Sequence, residues 1–556
     1  MIVKLNMHKF NRLMRRSVGT MLTALLTLVA TGLQGQTTRL DDLYVLGGEL
    51  SNSAATSVND IDEVMPRMAQ LGLNTVLVPA YWEFVEPTEG QYDFTLVDRI
   101  IDRARENRLQ VVLLWFGAWK NSMSCYAPEW FKRDTKRFPR AMTRTGKPLE
   151  IACAFSEEVF QADCRAFTKL LEHLAVKDRA KETVSMIQIE NEIGMLEDAR
   201  DHSQLAEKAY RQSVDNRLLK ALRQQKRGTW AEVFGTDEQA DEIFMAWHYA
   251  LYVERLAQQA RRLFDVPLFV NAAMNSRGRK PGEYPSAGPL AHLADVWKCG
   301  APDVDVLAPD IYDTGFKGWA AQYDLPGNRL FIPESRCCLN SGVRALYAFG
   351  EHRALGFSPF AIDQAPATET QHVTQAYALL RQLKPFLRNK KYKTWGLLFD
   401  QEDKERIIND DKLVLTCRHN FTLPWDPRAT DGTQWPEGGA VVVRLKPYEY
   451  LVAGNGVVVE FKTTSEKAQE ESKQLGEDGF VMAKTATASP ATADNQQKVT
   501  FRGKRCGIVS VDQVSVNDDG TLNYIRRDNG DQDHQGRHAR IGVGEYKILH
   551  IKLYEY

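Results

Sequence analysis

Between Leu43 and Asp363 the chain carries eight short runs that are apolar at nearly every position. They are LYVLGGEL (43–50), TVLVPAYW (75–82), QVVLLWFG (110–117), VSMIQIEN (184–191), PLFVNAAM (267–274), VDVLAPDIY (304–312), RLFIPES (329–335) and GFSPFAID (356–363). Runs without in/out alternation suit parallel strands covered on both faces. The stretches between them read as amphipathic helices. In residues 58–72, Ile61, Val64, Met65 and Met68 recur at helical spacing, and Gly72 stands where a helix would stop. Residues 96–108 are a second such stretch. Eight strand–helix units in about 320 residues predict a (β/α)8 barrel enlarged by insertions. An open doubly wound sheet would want a glycine-rich phosphate loop after an early strand, and LYVLGGELSNS makes a poor one.

The barrel accounts for residues 37–390, with residues 196–265 as a helical insertion plus the fourth barrel helix. From Trp395 the pattern changes to short strands separated by Gly/Asn/Asp turns, which predicts a β-sandwich over 391–556. Within it, residues 450–461 read as a hairpin around Gly454-Asn455-Gly456, and 463–498, rich in Thr, Ala, Ser, Lys and Glu, as a loop. Residues 1–36 hold five Lys/Arg and no acid, followed by an uncharged, largely apolar run from Ser17 to Leu33. That is the layout of a secretory signal peptide, so a periplasmic or extracellular protein is expected, without stable membrane insertion once the signal is removed. The formal charge of −1 becomes about −6 without that segment, which gives no attraction to nucleic acid or to anionic membranes. The eight cysteines show no CxxC or Cys/His metal spacing and read as buried or incidentally paired thiols.

Polar residues that end buried strands are costly unless satisfied or used. In this architecture such strand ends meet at one face, where catalysts sit. The fourth run stops at Glu190-Asn191-Glu192. The seventh, 142 residues after Glu192, stops at Glu334. Two carboxyl groups facing each other across the mouth are what glycoside hydrolysis needs: one as proton donor, one as nucleophile or base. Strict alternation puts Gln188, Glu190 and Glu192 on one side and Asn191 on the other. Twist at a strand end would let Asn191 and Glu192 both reach the site.

QIENEIG (188–194) is similar to a motif of glycoside hydrolase family 35 β-galactosidases. So is WEFVEPTEGQYDF (82–94), with Trp82, Glu86-Pro87, Gly90 and Asp93-Phe94 in matching positions, preceded by LGLNTV (71–76). The resemblance spans residues 43 to about 390. It implies a retaining exo-glycosidase that releases terminal β-galactose from oligo- or polysaccharide, in a divergent bacterial branch that trims plant or host polysaccharide side chains. Glu192 would be the acid/base, Glu334 the nucleophile, and Asn191 the partner of the sugar 2-hydroxyl. Pro79 and Glu83 depart from the family pattern, and the family's Ala-Glu-Trp after the third strand is missing. A β-glycosidase of the same clan with another sugar preference is therefore a second reading, and a non-catalytic carbohydrate-binding barrel a third.

Trp115, Trp119, Tyr312 and Trp319 follow strand ends where rings can stack on sugars, and Glu83 is expected to bind hydroxyls. Glu190 reads as a buttress, Asp310 and Asp363 as structural, and His534 and His538 as loop residues. No metal and no cofactor are expected.

Overall fold

The computed structural model describes residues 40–180, 182–469, 501–528 and 530–556. The segment read as an export signal, and most of the 463–498 loop, lie outside the described residues. Eight parallel strands close into a barrel in chain order: β1 (Val45–Glu49), β2 (Thr75–Tyr81), β3 (Gln110–Lys120), β4 (Val184–Asn191), β5 (Leu268–Ala273), β6 (Val306–Ile311), β7 (Phe331–Arg336) and β8 (Gly356–Phe360). Each falls on one of the eight apolar runs. Parallel pairing of β1 with both β2 and β8 closes the cylinder.

Helices follow from their local signals. In α1 (Val58–Gln70) the Ser57 hydroxyl accepts from the Asp60 N–H at 3.2 Å, and Ile61, Val64, Met65 and Met68 form one buried stripe. Gly72, at φ 77°, reverses the chain toward β2. α2 (Glu157–Lys177) packs behind β3, and α3 (Glu238–Leu263) closes the insertion after three short helices. Strand β3 departs from regular pairing: Trp115 lies opposite Ile189, but Lys120 lies opposite Asn191. The residues between form a wide bulge against Glu190. Bulges re-aim the residues that follow them, and this one turns the tail of β3 onto the end of β4.

After α4 (Ser341–His352) and α5 (Ala367–Leu387) the chain forms two antiparallel sheets of six and four strands. Period-two alternation gives the larger sheet two apolar faces. Val441, Val443, Leu451 and Ala453 join the barrel core. Ala440, Val442 and Val452 pack instead against Leu415, Val457 and Val459 of the smaller sheet. The expected hairpin at Gly454-Asn455-Gly456 does not form. Glu449–Asn455 belongs to the six-stranded sheet and Val457–Thr463 to the four-stranded one. Gly456, at φ 71°, is the corner where the chain crosses between them. Both segments need partners on both edges, and a sandwich supplies these only by separating them. All eight cysteines are free thiols, and no described helix is long and apolar enough to cross a membrane.

The sheets are seated on the barrel rather than tethered to it. Arg344 of α4 donates to both Glu437 oxygens at 2.8 and 2.6 Å. Backbone meets backbone at Gly396, where a Cβ would stand 2.5 Å from Tyr347 O and 2.7 Å from Glu351 N. Neither atom can yield as a side chain would. Gly396→Ala is expected to destabilise the chain by about 1–3 kcal/mol, as overpacking does, measured as a lowered midpoint in thermal or denaturant unfolding.

Candidate active site

The site is built at the carboxyl ends of the strands, and its shape begins with the backbone of β4. Glu190 and Glu192 both take left-handed conformations, at φ 59° and 45°. For non-glycine residues this region is uncommon and marks strain held by surrounding contacts. Alternation is broken there, so Asn191 and Glu192 both enter the cluster while Glu190 turns outward toward β3 and α2.

Asn271 of β5 is the hub. Its side-chain oxygen accepts from the Glu192 backbone N–H at 3.0 Å. Its amide donates to Asp310 Oδ2 at 2.8 Å and to Glu334 Oε1 at 3.2 Å. Glu334 Oε1 also accepts from Asn191 at 3.1 Å, and Glu334 Oε2 accepts from the Tyr312 hydroxyl at 2.6 Å. Glu192 Oε2 accepts from the Asn121 amide. One oxygen from each of Glu192, Asp310 and Glu334 lies within 4.8 Å of the others. Glu192 is 5% exposed, Glu334 3% and Asp310 1%. Amide and hydroxyl donors reach both oxygens of Glu334, and the Asn121 amide reaches Oε2 of Glu192.

Burial, then the negative charge of Glu334, raises Glu192 to about 7, with Lys120 pulling the other way. Burial, then the charges of Glu334 and Glu192, push Asp310 well above the ordinary carboxyl range. Glu49, at the end of β1, is also fully buried, with no hydrogen-bond partner on either oxygen, and burial and Glu334 raise it strongly. Lys120 is buried as well. Burial works against its charge, but Glu334, Glu192, Glu49 and Asp310 outweigh that and hold it protonated.

Behind this layer sits a second carboxyl pair. Glu190 Oε2 accepts from the Trp119 N–H at 2.7 Å, across the β3 bulge. Asp163 of α2 accepts from Trp115 Nε1 at 2.9 Å and from the Tyr252 hydroxyl at 2.8 Å. Burial raises both carboxyls, but the bonds to Trp115 and Tyr252 work against the shift on Asp163 while the Asp163 charge adds to that on Glu190, so Glu190 holds the proton between them. Gly117 leaves the room: a Cβ there would stand 2.7 Å from both carboxyls.

Of the residues expected from sequence, the fold brings together Glu192, Glu334, Asn191 and Tyr312. It does not bring the others. Trp115 and Trp119 are 0% exposed, one bonded to Asp163 and the other packed edge-on against Tyr249 and Tyr252. They are core residues and have no face for a sugar. Glu83 faces Lys132 at 3.8 Å. Trp319 is half-buried on a helix after β6, with its indole N–H donating to Thr314 O. Asp310, expected to be structural, belongs to the cluster. Asn271, Asn121 and Lys120 were not singled out. Asn271 carried a signal, as the one polar side chain in an otherwise apolar strand.

An eight-stranded barrel with carboxyl groups converging at the strand ends is the layout of a glycoside hydrolase. Residues 53–241 match the model of glycoside hydrolase family 42, described as Beta-galactosidase. The matching model is that of family 42 rather than the family 35 that the sequence motifs resemble. What stands is a β-galactosidase-type glycoside hydrolase domain in the barrel. Residues 373–540 match a model described as a domain of unknown function, DUF5597. No curated protein matches the chain. Similar solved structures include a beta-galactosidase from Bacillus circulans sp. alkalophilus (16% identity, TM-score 0.44, 61% of this chain and 56% of that one). Others are a beta-galactosidase from the psychrophilic Marinomonas ef1 (15%, 0.44, 61% and 60%) and a polyextremophilic Beta-galactosidase from the Antarctic haloarchaeon Halorubrum lacusprofundi (16%, 0.43, 61% and 58%). The chain thus spans less than two thirds of the length of each.

The carboxyl pair behind the site separates shape from protonation. Glu190→Gln keeps an acceptor for Trp119 N–H and a donor toward Asp163, and should change stability by less than about 1 kcal/mol. Glu190→Ala leaves the Trp119 N–H without its acceptor, opens a cavity and removes the proton shared with Asp163, and should cost about 2–4 kcal/mol. Equilibrium unfolding of the two variants checks the difference.

Proposed function

We propose that the protein is a retaining exo-β-glycosidase of β-galactosidase type that acts on oligo- or polysaccharide, with Glu334 as nucleophile and Glu192 as acid/base. The observation that carries the reading is the spacing of this pair. An oxygen of one lies within 4.8 Å of an oxygen of the other, a close approach that suits the roughly 5–5.5 Å carboxyl separation of retaining enzymes better than the roughly 6.5–9.5 Å that inversion needs for a water.

In the first half-reaction a Glu334 carboxylate oxygen attacks the anomeric carbon. Tyr312, Asn191 and Asn271 donate to that carboxylate and fix its direction. The glycosidic bond breaks as Glu192 gives its proton to the departing oxygen. In the second, Glu192 takes a proton from water, which attacks the anomeric carbon and releases Glu334. A proton affinity near 7 suits a group that must first donate and then accept. Asn191 has a free side-chain oxygen in the buried site, available to a sugar hydroxyl. Export to the periplasm or the cell exterior accords with the basic and apolar N-terminal sequence.

A same-clan enzyme with another sugar preference is the second reading, motivated by the departures of Pro79 and Glu83 from the family 35 sequence pattern. A retired barrel that only binds glycan is opposed by the cost of keeping Glu192, Glu334 and Asp310 together in a buried site.

Assays with a panel of aryl β-glycosides test the reading. Galactoside turnover with retention of anomeric configuration is expected. Turnover of a different sugar would support the second reading, and none at all would contradict enzymatic activity. Glu334→Gln should lose activity by at least about 10³-fold, and full activity in that variant would refute the assignment. Glu192→Gln should lose about 10²–10⁴-fold on substrates with poor leaving groups and far less on activated aryl glycosides. The donor must carry its proton, so kcat/KM should fall as pH rises through about 7, where Glu192 ionises.

A further inference from the structure

We propose that Asn121, held by Lys120, is a positioning residue that sets the orientation and proton affinity of Glu192. The inference rests on the acid/base role given to Glu192 above. The β3 bulge delivers a three-residue turn, Lys120-Asn121-Ser122, directly onto the end of β4. Asn121 N–H donates to Asn191 O and Ser122 N–H to Glu192 O, each at 3.1 Å. Asn121 and Ser122 stand at φ 50° and 66°, so the turn is held in an unfavourable conformation by these contacts. Its side chains then complete the grip. Lys120 Nζ donates to Asn121 Oδ1 at 2.7 Å, and Asn121 Nδ2 donates to Glu192 Oε2.

The bond from Lys120 fixes which way the Asn121 amide points. Lysine has no acceptor, so only the amide oxygen can face it, and the NH2 must face Glu192. A donor aimed at a carboxyl oxygen favours the ionised form, as does a buried ammonium. The groups facing Glu192 come from every side: Glu334 on β7 and Glu49 on β1 are acidic, Lys120 on β3 is the cation among them, and Asp310 on β6 is bonded to Glu192 in a way that lowers its proton affinity, as Lys120 and Asn121 do. Asn121 and Lys120 therefore counter the acidic neighbours. They keep Glu192 able to release its proton in the first step and reclaim one in the second. Without them the carboxyl would hold its proton too tightly to act as base.

The test is the pH dependence of kcat/KM in wild type, Asn121→Ala, Lys120→Met and Lys120→Arg, together with infrared titration of the Glu192 carboxyl, assigned by its loss in Glu192→Gln. Removing one charge-assisted hydrogen bond should move the alkaline limb up by about one pH unit. The infrared midpoint should move with it in both Asn121→Ala and Lys120→Met. Lys120→Arg, which keeps a charged donor, should move neither by more than a fraction of that. The proposal is overturned if limb and midpoint stay in place in Asn121→Ala while activity falls uniformly with pH. The infrared titration does not depend on turnover. A shifted midpoint in a protein without hydrolase activity would refute the function and leave the Asn121 contact standing.

Discussion

One asparagine joins three strands of the barrel at the point where chemistry would occur. Asn271 accepts from the backbone of Glu192 and donates to Asp310 and Glu334, so β4, β6 and β7 are tied through one fully buried side chain. In the interior each unpaired polar group costs about 1–3 kcal/mol. Satisfying three at once makes the strand ends interdependent: moving any one of them frees a donor or acceptor that water cannot reach. The 4.8 Å grouping of the three carboxyls is a consequence of that hub.

Around it, strain and charge are arranged to oppose each other. Left-handed residues at Glu190, Glu192, Asn121 and Ser122 bring side chains from two neighbouring strands to one place that regular pairing would keep apart. The cost is met by contacts behind the site: the Glu190–Asp163 carboxyl pair, the Trp119 N–H and the space left by Gly117. Four acidic side chains and one lysine then share a volume with little access to solvent. Burial alone would leave the acids neutral. Lys120 and the amide donors restore to Glu192 a proton affinity near neutrality. The glycoside hydrolase domain match over residues 53–241 covers β2, β3 and β4, of which β3 and β4 carry the left-handed residues, while Glu49, Asn271, Asp310 and Glu334 lie outside it.

The barrel was legible because parallel strands buried on both faces leave unbroken apolar runs, and each of the eight runs became a strand. Glu192 and Glu334 were legible for the complementary reason, as charges placed where such runs stop. The pocket wall was not. Trp115 and Trp119 look like strand-end aromatics in sequence, but Trp115 still lies within the regular strand, facing Asp163, and the β3 bulge places Trp119 in the core, a bulge of that size leaving no periodic signature. Asn121 and Lys120 depend on the same bulge and were hidden with it. Gly454-Asn455-Gly456 has the composition of a tight hairpin, yet its strands belong to different sheets, a choice made by partners distant in sequence. The motifs resembled family 35 β-galactosidases, while the matching model is that of family 42, also described as Beta-galactosidase.

The central claim is that Glu334 is the group that bonds to the sugar. It is tested most directly by incubation with an activated 2-deoxy-2-fluoro-β-galactoside, which slows breakdown of a glycosyl-enzyme, followed by peptide mass spectrometry. Covalent label on Glu334, with release accelerated by an acceptor sugar, is the predicted result. Label on Asp310, Glu192 or Glu49, or turnover with inverted product and no label, would contradict the account.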